Sequence, residues 1–183
     1  MSPTKLLLIT LSEYGQSNTF LALLQELQTR QNVDVHFVSY SELQKRVQNV
    51  ARKSDNPDAV STTFHALSGA TYKEIYTRDV DLSTKKYPDF VHPPTSKSLE
   101  VLHEMIYPIN LWTEKEFIGT MNQVRGLIDK IEPDLILVDF MFMPAREACR
   151  LSGRKFIVNS PIQVLDFVRP LQPRLKWIWH YPA

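Results

Sequence analysis

The sequence predicts an α/β fold, a doubly wound and mainly parallel sheet with helices on both faces. Two observations predict it. Apolar runs that lack polar alternation recur along the chain, the mark of strands covered on both sides, and nearly every one leads into a segment whose apolar residues repeat at helical spacing. Strand, helix and strand in succession build right-handed βαβ units, and a chain made of them belongs to the Rossmann-like class. The 183 residues, 43% hydrophobic and 22% charged, suffice for one buried core. The expected organisation is therefore a single domain over residues 1–183.

The elements follow in order. Lys5 to Ser12 reads as the first strand, and Asn18 as the N-cap of a helix whose Phe20, Leu23, Leu24 and Leu27 share one face. Val33 to Tyr40 is the second strand, and Ser41 to Lys53 a charge-rich helix broken by the turn around Pro57. A third strand ends at Gly69. From about residue 70 to 96 periodicity fails and prolines accumulate, which predicts a loop. A long helical region, Lys97 to Ile131, is divided at Pro108, and its second half carries the stripe Phe117, Met121, Val124, Ile128 and Ile131. "PDLILVDF" is a buried strand ending in an acid, "MPAREACRLSG" a helix stopped at Gly153, and "RKFIVNSP" a last strand.

Composition excludes several classes. The formal charge is +1, from 21 basic and 20 acidic residues, so no global field recruits nucleic acid. No run reaches the roughly 18 apolar residues of a membrane span, and the apolar run near the start is too short for a signal peptide, so a cytoplasmic location is expected. Cys149 is the only cysteine, placed in a helix as a small buried thiol. The five histidines show no metal-ligand spacing, so no metal site is expected.

In such sheets ligands bind beyond the carboxyl ends of the strands. The residues standing there are Glu13 to Asn18, Ser39 and Tyr40, His65, Asp139 to Met143, and Asn159 and Ser160. "SEYGQSN" has one glycine where a dinucleotide site needs three, so a nicotinamide cofactor is disfavoured. Gly15 is expected as a left-handed turn residue that leaves Gln16, Ser17 and Asn18 facing the crevice with neutral groups suited to a hydroxylated ligand. Asp139 either lies at the crevice mouth beside Phe142 and Met143 or caps the following helix. His65 is the one histidine placed to act as a base, with a structural role as the alternative.

The blocks "EYGQSNTFLALLQEL", "VDVHFVSYSELQKRV", "TTFHALSG" and "PDLILVDFMFMPAREACRLSGRKFIVNSP" together resemble the N-terminal half of UDP-dependent glycosyltransferases of GT-B fold, particularly the fungal branch. The resemblance implies an acceptor-binding Rossmann-like domain. It implies transfer of a hexose from a UDP-sugar to a hydroxyl of a lipophilic small molecule. Many members carry a Gly-His pair in the first loop, its His taking the acceptor's proton and a later Asp orienting it. Asp139 matches the Asp, whereas Gln16 stands at the His position and cannot take a proton near neutral pH. By the resemblance Tyr14, Gln16, Ser17, Asn18, Asp139, Phe142 and Met143 line the acceptor crevice, Gln16 and Asp139 face one another across it, and His65 is the alternative base. This half binds no cofactor. The UDP-sugar enters as co-substrate if a donor domain is supplied, which the sequence, with residues 162–183 as a truncated tail, is expected to lack. The chain is read as a truncated gene product, a fragment of a longer protein, or one subunit whose partner chain brings the donor domain. The alternative expectation is a non-catalytic module that binds a small molecule or a partner.

Overall fold

The computed structural model describes residues 3–30, 32–52, 61–79 and 112–160. The elements are β1 (Thr4–Ile9), α1 (Tyr14–Leu27), β2 (Val33–Tyr40), a 3-10 turn (Ser41–Leu43), α2 (Gln44–Arg52), β3 (Ser61–Leu67), α3 (Tyr72–Asp79), α4 (Glu114–Ile131), β4 (Leu135–Asp139), α5 (Met143–Ser152) and β5 (Phe156–Asn159). The five strands form one sheet in the order β3-β2-β1-β4-β5, and every adjacent pair is parallel. This is the doubly wound architecture that the unbroken apolar runs imply.

The inner strands β1, β2 and β4 divide their side chains between two apolar layers. Leu7, Ile9, Val38, Ile136 and Val138 pack with Val124, Ile128 and Ile131 of α4 and with Ala145, Ala148 and Cys149 of α5. Leu8, Val35 and Phe37 pack with Phe20, Leu21 and Leu24 of α1 and with Val47 of α2. The stripe on α4 faces the sheet as its spacing requires, with Phe117 and Met121 partly buried at its edge. Burial pushes the Cys149 thiol up to about 12, which leaves it an inert packing group at neutral pH. Gly153, at φ 66, ends α5 in the left-handed conformation that a side chain disfavours.

Two elements differ from their sequence reading. Helix α1 begins at Tyr14 rather than after Asn18, with Glu13 as the extended residue before it. Gly15 is therefore a first-turn helical residue, and the glycines with positive φ among the described residues are Gly69 and Gly153. Residues read as loop include helix α3. Thr71 and Glu74 bond reciprocally at its start, the Glu74 carboxylate accepting from Thr71 N–H at 2.8 Å and the Thr71 hydroxyl from Glu74 N–H at 3.3 Å. Ile75 is its buried anchor. Arg78 then reaches Glu116 of α4 at 2.8 Å, which holds that carboxyl down to about 2, aided by the Thr113 side chain and backbone. The expected break at Pro108, the remainder of the loop and the tail over 162–183 lie outside the described residues.

Candidate functional site at the carboxyl edge of the sheet

Strand order reverses between β1 and β4, so the helices that follow them leave on opposite faces and a crevice opens beyond their carboxyl ends. Asp139 closes β4 at this point and is fully buried. Its Oδ2 accepts from the Thr10 hydroxyl at 3.0 Å and from Leu11 N–H at 3.3 Å, and its Oδ1 accepts from Met141 N–H at 2.9 Å. The carboxylate thus ties the end of β1 to the turn after β4. It does not cap α5, whose N-cap is Phe142 and which carries no side-chain cap. Burial raises its pKa from 3.8, against the three hydrogen bonds, which favour the charged form. Gln16, half-buried on the first turn of α1, is not among its hydrogen-bond partners.

The other polar residues of that turn are engaged by α2. The Arg46 guanidinium donates to the Ser17 hydroxyl at 3.1 Å and to Asn18 Oδ1 at 2.6 Å, and lies 4.1 Å from the centre of the exposed Tyr14 ring. Tyr14, Ser17 and Asn18 therefore fasten α1 to α2. Replacing Arg46 by alanine is expected to cost about 1–2 kcal/mol in urea unfolding, from two hydrogen bonds and a cation–π contact at a half-buried site. Lysine should recover less than half, because it lacks the planar fork that serves both partners. An unchanged midpoint in the alanine variant would show that the clamp does not hold α1.

His65 stands on β3, the far edge of the sheet, in register with Val38, which pairs with Ile9, which pairs with Val138. Three strand spacings of roughly 4.8 Å separate it from β4. Its Nε2 lies 3.0 Å from Nδ1 of His36, and burial with the neighbouring His36 and Lys130 lowers its pKa. Asp34 lies 3.2 Å from His36, so the pair closes on itself. Met143 borders a surface cavity with Phe117, Arg146, Glu147, Arg150 and Phe156. Phe142 is fully buried between Tyr40, 5.9 Å away, and Trp112, 6.3 Å away.

What gathers at the crevice instead is an aromatic group around Glu13. Tyr72 on α3 packs against Trp112 at 5.7 Å, and Trp112 and Tyr40 share Phe142. Glu13 turns its side chain toward α3, where Oε1 accepts from Lys73 N–H at 3.1 Å. Burial raises the Glu13 pKa above 4.5, and the charges of Asp139 and Glu42 add to that rise. The Tyr72 hydroxyl is pushed up to about 12 by burial and then by the Glu13 charge. Glu13 stood among the residues after the first strand, but Tyr72 and Trp112 fell in segments where no strand end pointed to them. Among the described residues no group of three or more His, Cys, Asp or Glu could hold a metal ion, and no helix is long and apolar enough to cross a membrane.

No protein-family model matches the chain. The glycosyltransferase sdnJ of Sordaria araneosa is 27% identical over 184 residues, covering 97% of this chain and 36% of its own length. Erythritol-mannosyl-transferase 1 of Mycosarcoma maydis is 28% identical over 148 residues, covering 80% of this chain and 23% of its own length. Among solved structures, the glycosyltransferase VinC in complex with DTDP superposes with a TM-score of 0.56 at 9% identity, over 94% of this chain and 40% of its own. The kitacinnamycin glycosyltransferase superposes with a TM-score of 0.53 at 16% identity, over 92% and 34%. The fold is the Rossmann-like half of a GT-B glycosyltransferase. The chain spans 23–40% of the length of these proteins, consistent with their N-terminal half.

Proposed function

We propose that this chain is the acceptor-binding portion of a UDP-dependent glycosyltransferase, the reaction being transfer of a hexose to a hydroxyl of a lipophilic small molecule. The observation that carries the reading is the crevice at the β1/β4 reversal, with Asp139 bracing its floor and aromatic side chains gathered beside it. Neutral polar groups and aromatic faces fit a hydroxylated, largely apolar ligand. A structural relative, TcCGT1, was solved in complex with UDP, which supports a nucleotide-sugar donor. In this reading the donor is held by residues corresponding to the rest of the relatives' length, in the same polypeptide or a partner chain.

Gln16 can hold an acceptor hydroxyl through its amide but cannot take its proton. Asp139, committed to three donors within the chain, acts as a positioning residue. The 183-residue chain alone is expected to bind hydroxylated aromatic compounds in calorimetry and to release no UDP from UDP-glucose. An unpositioned donor forgoes proximity worth about 7–11 kcal/mol of barrier. Acceptor-dependent UDP release by the purified chain would overturn this division of labour.

A further inference from the structure

Three buried polar atoms near the crevice lack a hydrogen bond: Glu13 Oε2, the Tyr40 hydroxyl and Trp112 Nε1. They belong to one contiguous group. Lys73, whose N–H binds the other oxygen of Glu13, follows Tyr72, whose ring touches Trp112. The Tyr40 hydroxyl lies close enough to the Thr120 hydroxyl and the Trp112 indole for both to favour its ionised form, so Tyr40 and Trp112 are loosely engaged with one another, whereas Glu13 Oε2 has no such neighbour. An unpartnered buried polar atom forfeits its hydration without return, and native folds retain few of them. A buried carboxylate oxygen without a donor, beside two loosely engaged polar groups, marks a place where a ligand supplies what the chain does not.

From this group, and resting on the acceptor-binding reading above, we infer that Glu13 Oε2 receives the ligand's hydroxyl proton in a hydrogen bond, with Tyr40 and Trp112 completing the polar end of an aromatic-walled site. Tyr72 and Glu13 are half-buried, so the ligand enters on their side. In sugar transfer the acceptor oxygen bonds to the anomeric carbon, the bond from that carbon to the nucleoside diphosphate breaks with its electron pair, and the acceptor's proton passes to Glu13. The raised pKa of Glu13 brings it closer to neutral pH than an ordinary carboxylate, which suits a base. Glu13 thereby supplies on the preceding side of Tyr14 what Gln16 cannot.

The test titrates the 183-residue chain with 4-methylumbelliferone and with its 7-methyl ether, which keeps the flat apolar body and lacks the hydroxyl. Glu13→Gln is expected to weaken the phenol by about tenfold and the ether by less than twofold, since a hydrogen bond to an ionised carboxylate is stronger than one to a neutral amide. Glutamine still offers Lys73 N–H an acceptor, so the fold is preserved. In the unmutated chain the ratio of phenol to ether affinity should rise as pH is raised past 4.5, because only the ionised carboxylate prefers the phenol. Asp139, Glu42, Tyr40 and Tyr72 also face this carboxyl, and the same titration of Glu13→Gln isolates their share. If both compounds bind and the ratio is unmoved by mutation and by pH, the role of Glu13 is overturned while the acceptor-binding reading stands. If neither compound binds the unmutated chain, both fall.

Discussion

Asp139→Ala is expected to destabilise the fold by about 3–5 kcal/mol, because it leaves Leu11 N–H and Met141 N–H without an acceptor and the Thr10 hydroxyl with only the Leu11 carbonyl. The Thr10 hydroxyl, Leu11 N–H and Met141 N–H all donate to this carboxylate, the first two in a fully buried place and the third in a part-buried one, and each donor left without a partner costs about 1–3 kcal/mol before relaxation. Asp139→Asn should cost less. It keeps one accepting oxygen, although its amide nitrogen opposes a backbone N–H whichever way the group is turned, since Oδ1 and Oδ2 each accept from a backbone donor, so part of the penalty remains. The pH dependence has a defined sign. Folding raises the Asp139 pKa above 3.8, so the native state binds the extra proton and the stability from this group is full below 3.8 and lost as pH rises through the folded value. The penalty of Asp139→Asn relative to the unmutated chain is therefore expected to shrink as pH rises from below 3.8 through the folded value. A penalty that grows over this range, or an alanine variant with an unchanged urea midpoint, would show that Asp139 is not the brace of the β1/β4 junction.

The sheet was legible because its strands announce themselves twice. "VDVHFVSY" and "LILVD" are apolar on both faces, and the helices between them bury the stripes their spacing assigns. The starts of α1 and α3 were less visible for a shared reason, that polar first turns suppress hydrophobic periodicity. Tyr14 to Asn18 carry no apolar repeat, yet the backbone is already helical there. Helix α3 has the sequence Thr71-x-x-Glu74, and α4 has Thr113-x-x-Glu116, a reciprocal cap in both cases. That pattern was present in the sequence and would have placed both starts. The site was legible as an edge and not as a set of side chains. Strand ends named Glu13, Tyr40 and Asp139 together, but only three-dimensional packing distinguishes the carboxylate with three partners, Asp139, from the one with an unpartnered oxygen, Glu13. Trp112 and Tyr72 reach the crevice across the sheet from helix starts, a tertiary relation that no local spacing encodes.

The ring of Phe142 is expected to matter as much to stability as Asp139, by about 3–5 kcal/mol for Phe142→Ala, although it makes no polar contact. It is fully buried where Tyr40 and Trp112 converge, so its removal loses apolar transfer energy and leaves a cavity whose walls cannot close, Tyr40 being fixed in β2 and Trp112 at the start of α4. Phe142 therefore shapes the crevice from behind rather than by touching a ligand. Phe142→Leu keeps most of the volume and should cost less than half as much, while loosening the Trp112 stack enough to reduce the aromatic near-ultraviolet signal. The urea slope should stay constant across the series, because the surface exposed on unfolding hardly changes. Equal midpoints for Phe142→Ala and the unmutated chain would remove Phe142 from the core, and with it the rigid backing that holds Tyr40 and Trp112 beside Glu13.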